Sequence, residues 1–166
     1  MLSQNGWPTI TAAHARKWII PGTGRHLVLE PNHAGFILAY LALWFHDVIE
    51  RLDLGVWDEW GWADRPVRGS AEISNHASGT ATDLNATRHP LGVPTAQTFT
   101  TAQARKIRRK LRFLFGLVRW GGDYSRRPDA MHFEIVGTPA QVRVLAYYLA
   151  RSPRGRRILK ANPGYR

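Results

Sequence analysis

Twelve consecutive residues, Ala34 to Phe45, carry no charged side chain. A helix that is apolar on every side can be satisfied only at the centre of a fold, with the rest of the chain wrapped around it. Asn32 stands where an N-cap belongs, so the pattern predicts a buried core helix over residues 33–52. The run is too short to span a bilayer, which takes about 20 apolar residues. A chain of 166 residues is long enough for one such core and short for two, so the expectation is a single domain over 1–166. Hydrophobic content of 44% and seven tryptophans fit a packed globule.

The remaining elements follow from periodicity and punctuation. Residues 56–65 hold Trp57 and Trp62 among β-favouring neighbours and predict a strand ending before Pro66. Residues 81–86 predict a short strand, and Arg88 to Gly92 a loop. Ala104, Ile107, Leu111 and Leu114 recur at helical spacing among basic residues, giving an amphipathic helix over 101–115. Residues 118–122 and 131–136 predict two strands joined by a polar turn. Thr138-Pro139-Ala140-Gln141 is a capping box with proline at N1, which opens a last, basic helical segment over about 138–166. This order predicts an α+β fold with a small, mainly antiparallel sheet flanked by helices.

The net charge of +11 is unevenly spread. Residues 1–100 carry 7 Lys/Arg against 9 Asp/Glu, and residues 101–166 carry 16 against 3. The basic part is expected to face something anionic: a cell-wall polymer, a membrane surface or nucleic acid. No helix-turn-helix, zinc-finger or aromatic RNA-binding signature accompanies the charge, so no specific nucleic acid is expected. The start, Met1 to Pro8, has neither a basic nor an apolar signal region, and predicts synthesis in the cytoplasm without a signal peptide. A monomer is expected.

With no cysteine in the chain, any metal must be held by histidine and carboxylate. Two segments offer them: Ser74-Asn75-His76-Ala77-Ser78-Gly79-Thr80-Ala81-Thr82-Asp83 and Asp129-Ala130-Met131-His132-Phe133-Glu134. A catalytic zinc takes three protein ligands and leaves a fourth position open, and His76, Asp83 and His132 fit that count for one Zn²⁺. Gly79 among small neighbours allows a tight turn returning the chain from His76 toward Asp83. Strand alternation puts His132 and Glu134 on one face and Phe133 on the other, so Glu134, with Ser74, is expected behind the ligands. Asp129 is the first choice for the base that takes a proton from the attacking water, and Glu134 the second. Arg65 or Arg68 is expected to hold the developing oxyanion. Asp123, Trp120 and His89 are candidates for substrate contact, set against plainer roles as turn, core and loop residues.

The S-x-H-x-x-G-x-A-x-D segment with its downstream D-x-x-H-F-E resembles the zinc D-alanyl-D-alanine carboxypeptidase and L-alanyl-D-glutamate endopeptidase family, whose fold is shared with the hedgehog signalling domain. The resemblance implies zinc on His76, Asp83 and His132, with Asp129 as catalytic base. Asn5 to Pro8, Arg65 to Ser70 and Val118 to Tyr124 look like the peptidase domain of endolysins from actinobacterial phages. That implies a peptidoglycan hydrolase cleaving the stem peptide, between L-Ala and D-Glu, acting on the wall after release from the cell. Removal of terminal D-Ala by the same site is the alternative. A non-catalytic wall- or nucleic-acid-binding module is the alternative of another class.

Overall fold

The computed structural model describes residues 1–65 and 72–165. In chain order the elements are β1 (Arg16–Ile20), β2 (Arg25–Leu29), α1 (His33–Val48), β3 (Ala81–Asp83), α2 (Thr95–Thr98), α3 (Thr101–Phe113), β4 (Val118–Trp120), a 3₁₀ turn (Gly121–Asp123), β5 (His132–Ile135), α4 (Pro139–Ala150) and α5 (Pro153–Ala161). The fold is α+β with two small antiparallel sheets, a β1–β2 hairpin and a three-stranded sheet ordered β3–β5–β4.

Helix α1 is the hub, with every residue from Ala34 to Phe45 buried, and it packs on both sheets and on α4 and α5. Phe45 meets Phe133 of β5 edge-on at 6.0 Å, which ties the hub to the central strand of the larger sheet. Asn32 occupies the N-cap position, but its side chain makes no capping bond. The Glu30 carboxylate caps instead, accepting from the amides of Asn32 (3.0 Å), Ala34 (3.1 Å) and Gly35 (3.4 Å). A carboxylate there also meets the positive end of the helix dipole. The helix stops at Val48 rather than near 52, and the Leu52 amide turns back to His46 Nδ1 at 3.1 Å.

The strand expected over 56–65 does not form. Its amides are divided among different neighbours: Trp60 exchanges backbone bonds with Asp83 (3.0 and 2.8 Å), Trp62 donates to Val28 of β2, and Ala63 donates to His76 at 3.2 Å. The segment therefore stitches one sheet to the other and runs along neither. Strand β3 ends at Asp83, short of 86, because Asn85 turns the chain with φ 49°. Strand β4 ends at Trp120, where the expected strand gives way to the 3₁₀ turn.

The β1–β2 hairpin was not expected from the sequence. Its signal was present: Trp18 and Ile20 alternate inward on one strand and Leu27 and Leu29 on the other, around Pro21-Gly22-Thr23-Gly24. At the other end, the Thr138–Gln141 capping box forms as expected, with the Gln141 amide donating to Thr138 Oγ1 at 3.4 Å. Ser152 then divides the basic terminal segment by capping α5, accepting from the Gly155 amide at 3.0 Å.

Candidate metal centre

Residues 74–80 form a polar turn, and Gly79 is what lets it close. It adopts φ +67°, and a Cβ there would lie 2.4 Å from the Glu30 amide nitrogen. That close approach allows the Gly79 carbonyl to accept from Glu30 at 2.9 Å, fixing the turn on the cap of α1. The N-terminal residues brace it from the other side. Ser3 Oγ lies 2.8 Å from Ser78 Oγ, and Asn5 donates from its amide nitrogen to Asn75 Oδ1 (2.9 Å) and from its side chain to Thr80 Oγ1 (2.7 Å). Asn5 also donates to the Ile135 carbonyl at 2.8 Å, so one side chain joins the turn to the end of β5.

The β3–β5 register pairs Asp83 directly with His132, and the turn carries His76 over the same point. His76 Nε2 stands 3.3 Å from His132 Nδ1 and 3.4 Å from Asp83 Oδ1, while His132 Nδ1 is hydrogen-bonded to Asp83 Oδ1 at 2.8 Å. All three side chains are buried or nearly so. Donors about 2.0–2.2 Å from a tetrahedral zinc stand roughly 3.3–3.6 Å apart, so both His76 distances suit a shared ion. His76 Nδ1 lies 2.6 Å from the Gly61 carbonyl, which takes its N–H and leaves the Nε2 lone pair facing the cluster. Two imidazole nitrogens and one carboxylate oxygen form a donor set that fits zinc, and the trio can hold a metal ion.

The electrostatics favour a cation. Burial works against the charged form of Asp83, yet the two imidazoles outweigh it and hold its carboxyl well below the usual range. For His132, burial would lower the pKa, but hydrogen bonds to Asp83 and Glu134 draw it up to about 10. The negative field that attracts a proton to this nitrogen equally attracts a metal.

Glu134 sits behind His132, with Oε2 3.5 Å from Nε2. Arg119 Nε donates to its other oxygen, Oε1, at 2.7 Å; Tyr124 also donates to Oε1, while Asn75 donates to Oε2. Burial would raise its pKa; these partners, His132 foremost, bring it to about 2. Ser74 Oγ accepts from the His76 amide at 3.2 Å. Both therefore brace residues of the trio that can hold a metal ion.

Asp129 is placed by Gly121, where a Cβ would lie 2.4 Å from the Asp129 carbonyl oxygen; the Asp129 amide donates to the Gly121 carbonyl at 2.9 Å. The carboxyl lines the same cavity of about 300 Å³ as the three ligands. Its Oδ1 is enclosed and has no hydrogen-bond partner among the described residues. Burial raises its pKa, and the pull of His132 does not cancel that. Arg65, Arg119 and Arg127 also line this cavity. Arg119 is paired with Glu134, whereas Arg65 and Arg127 have no acidic partner among the described residues. Arg68 lies outside the described residues.

The three candidates for substrate contact lie elsewhere. His89 is 1% exposed, stacked on Phe99 at 3.7 Å and bonded to Glu50 at 2.9 Å, so it is a core residue. Trp120 is buried and stacked on Phe133, and its indole donates to the Ala130 carbonyl at 2.8 Å. Asp123 faces solvent and binds Arg108 at 2.8 Å. None of the three lines the cavity. Tyr124, Asn75, Arg119 and Arg127 do, and no ligand or base pattern in the sequence marks them, because each is brought in by sheet pairing, by the 74–80 turn or by the turn before β5.

Residues 68–135 match the family model described as D-alanyl-D-alanine carboxypeptidase. The matched segment begins before the first ligand and ends on the last residue of β5, so it takes in His76, Asp83, Asp129, His132 and Glu134. No curated protein and no solved structure matches the chain.

Proposed function

We propose that this chain is a zinc-dependent peptidoglycan hydrolase of the phage endolysin type that cleaves the L-alanyl-D-glutamate bond of the stem peptide. The observation that carries the reading is the convergence of His76, Asp83 and His132 in one cavity with Asp129, whose buried oxygen is unpartnered among the described residues. A zinc ion held by the three ligands would polarise the scissile carbonyl and acidify a water. Asp129 takes the proton from that water and returns it to the leaving amine, a role served by a raised pKa. Glu134, saturated by its partners, stays ionised and holds the His132 ring. Arg65 and Arg127, which both line the cavity, supply positive charge toward the developing oxyanion.

An endopeptidase needs room on both sides of the bond it cuts. A second cavity of about 390 Å³, which shares Trp60, Arg65 and His76 with the first, continues the cleft past the ligands. The description of the matched family favours a second reading, removal of a terminal D-Ala by the same residues. In either case the protein acts on the wall after leaving the cytoplasm where it is made.

The test is incubation of purified protein with bacterial cell walls, with and without a chelator, followed by mass spectrometry of the released fragments. Metal-dependent cleavage between L-Ala and D-Glu is expected. Loss of terminal alanine alone selects the second reading, and intact walls in every arm reject both in favour of a binding module.

A further inference from the structure

Helix α3 ends in a Schellman turn, in which Phe115 donates to the Arg112 carbonyl at 2.9 Å and Gly116 to that of Leu111 at 3.0 Å. The residue after the cap must take a positive φ, and that residue is Phe115, at φ 56°. Glycine adopts this conformation without penalty, whereas phenylalanine does not. No burial compensates, because Phe115 is 71% exposed. A large apolar side chain is thus kept on the surface in a backbone conformation that disfavours it.

It is not an isolated apolar residue. Phe113, 46% exposed, has its ring 6.3 Å from Tyr148 of α4, and Val144 lies one turn before Tyr148 on the same exposed face. Cations surround this patch. Arg105, Arg109 and Phe113 follow one another at i, i+4 and i+8 along α3, with Lys106 and Arg112 alongside, all exposed. Among the described residues Arg105, Lys106, Arg109 and Arg112 have no acidic partner; the cations of α3 and α5 that do have one are Arg108, on Asp123, and Arg154 and Arg157, on Asp47. Helices α3, α4 and α5 contain no acidic residue at all.

We propose that the C-terminal end of α3, with the adjoining face of α4, docks on an anionic lipid bilayer. Phe113 and Phe115 enter the interface, and Arg105, Lys106, Arg109 and Arg112 lie against lipid phosphates. A polyanion in water would be held by the cations alone and would gain nothing from Phe115, Val144 and Phe113. A bilayer surface rewards both, burying apolar area while neutralising charge. The proposal is independent of the chemistry in the cavity.

Co-sedimentation of the purified chain with vesicles at physiological salt tests it. Binding is expected to vesicles of mixed phosphatidylglycerol and phosphatidylcholine, and not to phosphatidylcholine alone. Phe115→Gly is the decisive variant, because it relieves the backbone strain: the melting temperature should hold or rise while the partition coefficient falls about five- to tenfold. Neutralising Arg105, Arg109 and Arg112 together to Gln should lower it on the order of 100-fold. The proposal is overturned if anionic vesicles are not bound, or are bound equally by Phe115→Gly. Tighter binding of duplex DNA or a soluble anionic wall polymer with the same dependence on these residues would assign the surface to that partner instead. A dimer that Phe115→Gly dissolves would assign it to a second copy of the chain.

Discussion

Asp129 and Glu134 stand on either side of His132, three residues before it and two after, and their surroundings have driven them apart. Glu134 lies in β5, where sheet pairing brings Arg119 of β4 against it and the 74–80 turn brings Asn75; against its burial, His132 first, then Tyr124 and Arg119, hold its carboxyl near pKa 2. Asp129 lies in the turn before the strand, close against Gly121, with an enclosed oxygen that no described residue satisfies and a pKa raised by burial. Two carboxyls on one short segment thus sit in opposite surroundings, and under the proposed function the saturated one would fix geometry while the unsatisfied one would exchange a proton.

Removing a ligand tests the frame in which that contrast stands. His76→Ala or His132→Ala should abolish both metal retention and wall hydrolysis, read by metal analysis of the dialysed protein beside the activity assay; a variant that keeps its metal would show that the trio is not the site. Asp129→Ala should lower the rate about 10²- to 10⁴-fold with metal content unchanged. If Asp129→Ala loses metal as the histidine variants do, Asp129 is a ligand and the contrast with Glu134 disappears. Glu134→Gln should show the reverse pattern, with metal affinity weakened about 10- to 100-fold and stability lowered by about 1–3 kcal/mol, because His132 and Arg119 lose a charged partner. Titration with metal and thermal melting measure these, and a pure rate loss with normal affinity would exchange the two roles.

The smallest effect concerns a third carboxyl, Glu59, as buried as Glu134 but with no hydrogen bond to its oxygens among the described residues; Arg25 Nε is 3.4 Å away. Burial, with Asp58 adding to it, raises its pKa to about 7. A folded-state pKa above the unfolded one means that its contribution to stability is full below about pH 4.5 and is lost as pH rises through about 7. Glu59→Gln should leave the melting temperature unchanged at pH 4 and raise it by roughly 2–4 °C at pH 8, a screened effect of about 1 kcal/mol. Equal shifts at both pH values would mean that partners, rather than burial, set the difference between Glu59 and Glu134.

Much of this molecule is legible in local pattern. The apolar run sets α1 at the centre, the capping box starts α4 where Thr138 stands, and the residue types and order of the two motifs are enough to nominate His76, Asp83, His132 and Asp129. Local pattern fails where backbone groups choose between partners. Trp60 and Trp62 read as one strand because their side chains favour one, but their amides bond to two different sheets, and no local signal reports that division. Glu30 displaces Asn32 as the cap because the end of β2 delivers a carboxylate to the helix start. His89 reads as a loop residue until Phe99 and Glu50 are seen to enclose it.

The sequence alone determined the central helix, the inventory of ligands and the acid-free basic helices, because composition and periodicity are properties of the chain before it folds. Only the tertiary structure decided that Glu134 is saturated and Asp129 is not, and that Phe115 stands exposed at φ 56°. The charge state of a carboxyl depends on which groups the fold brings within hydrogen-bonding distance, and those groups come from other parts of the chain. The backbone of Phe115 is set by the local turn with Leu111 and Arg112, and its exposure by what the fold leaves uncovered.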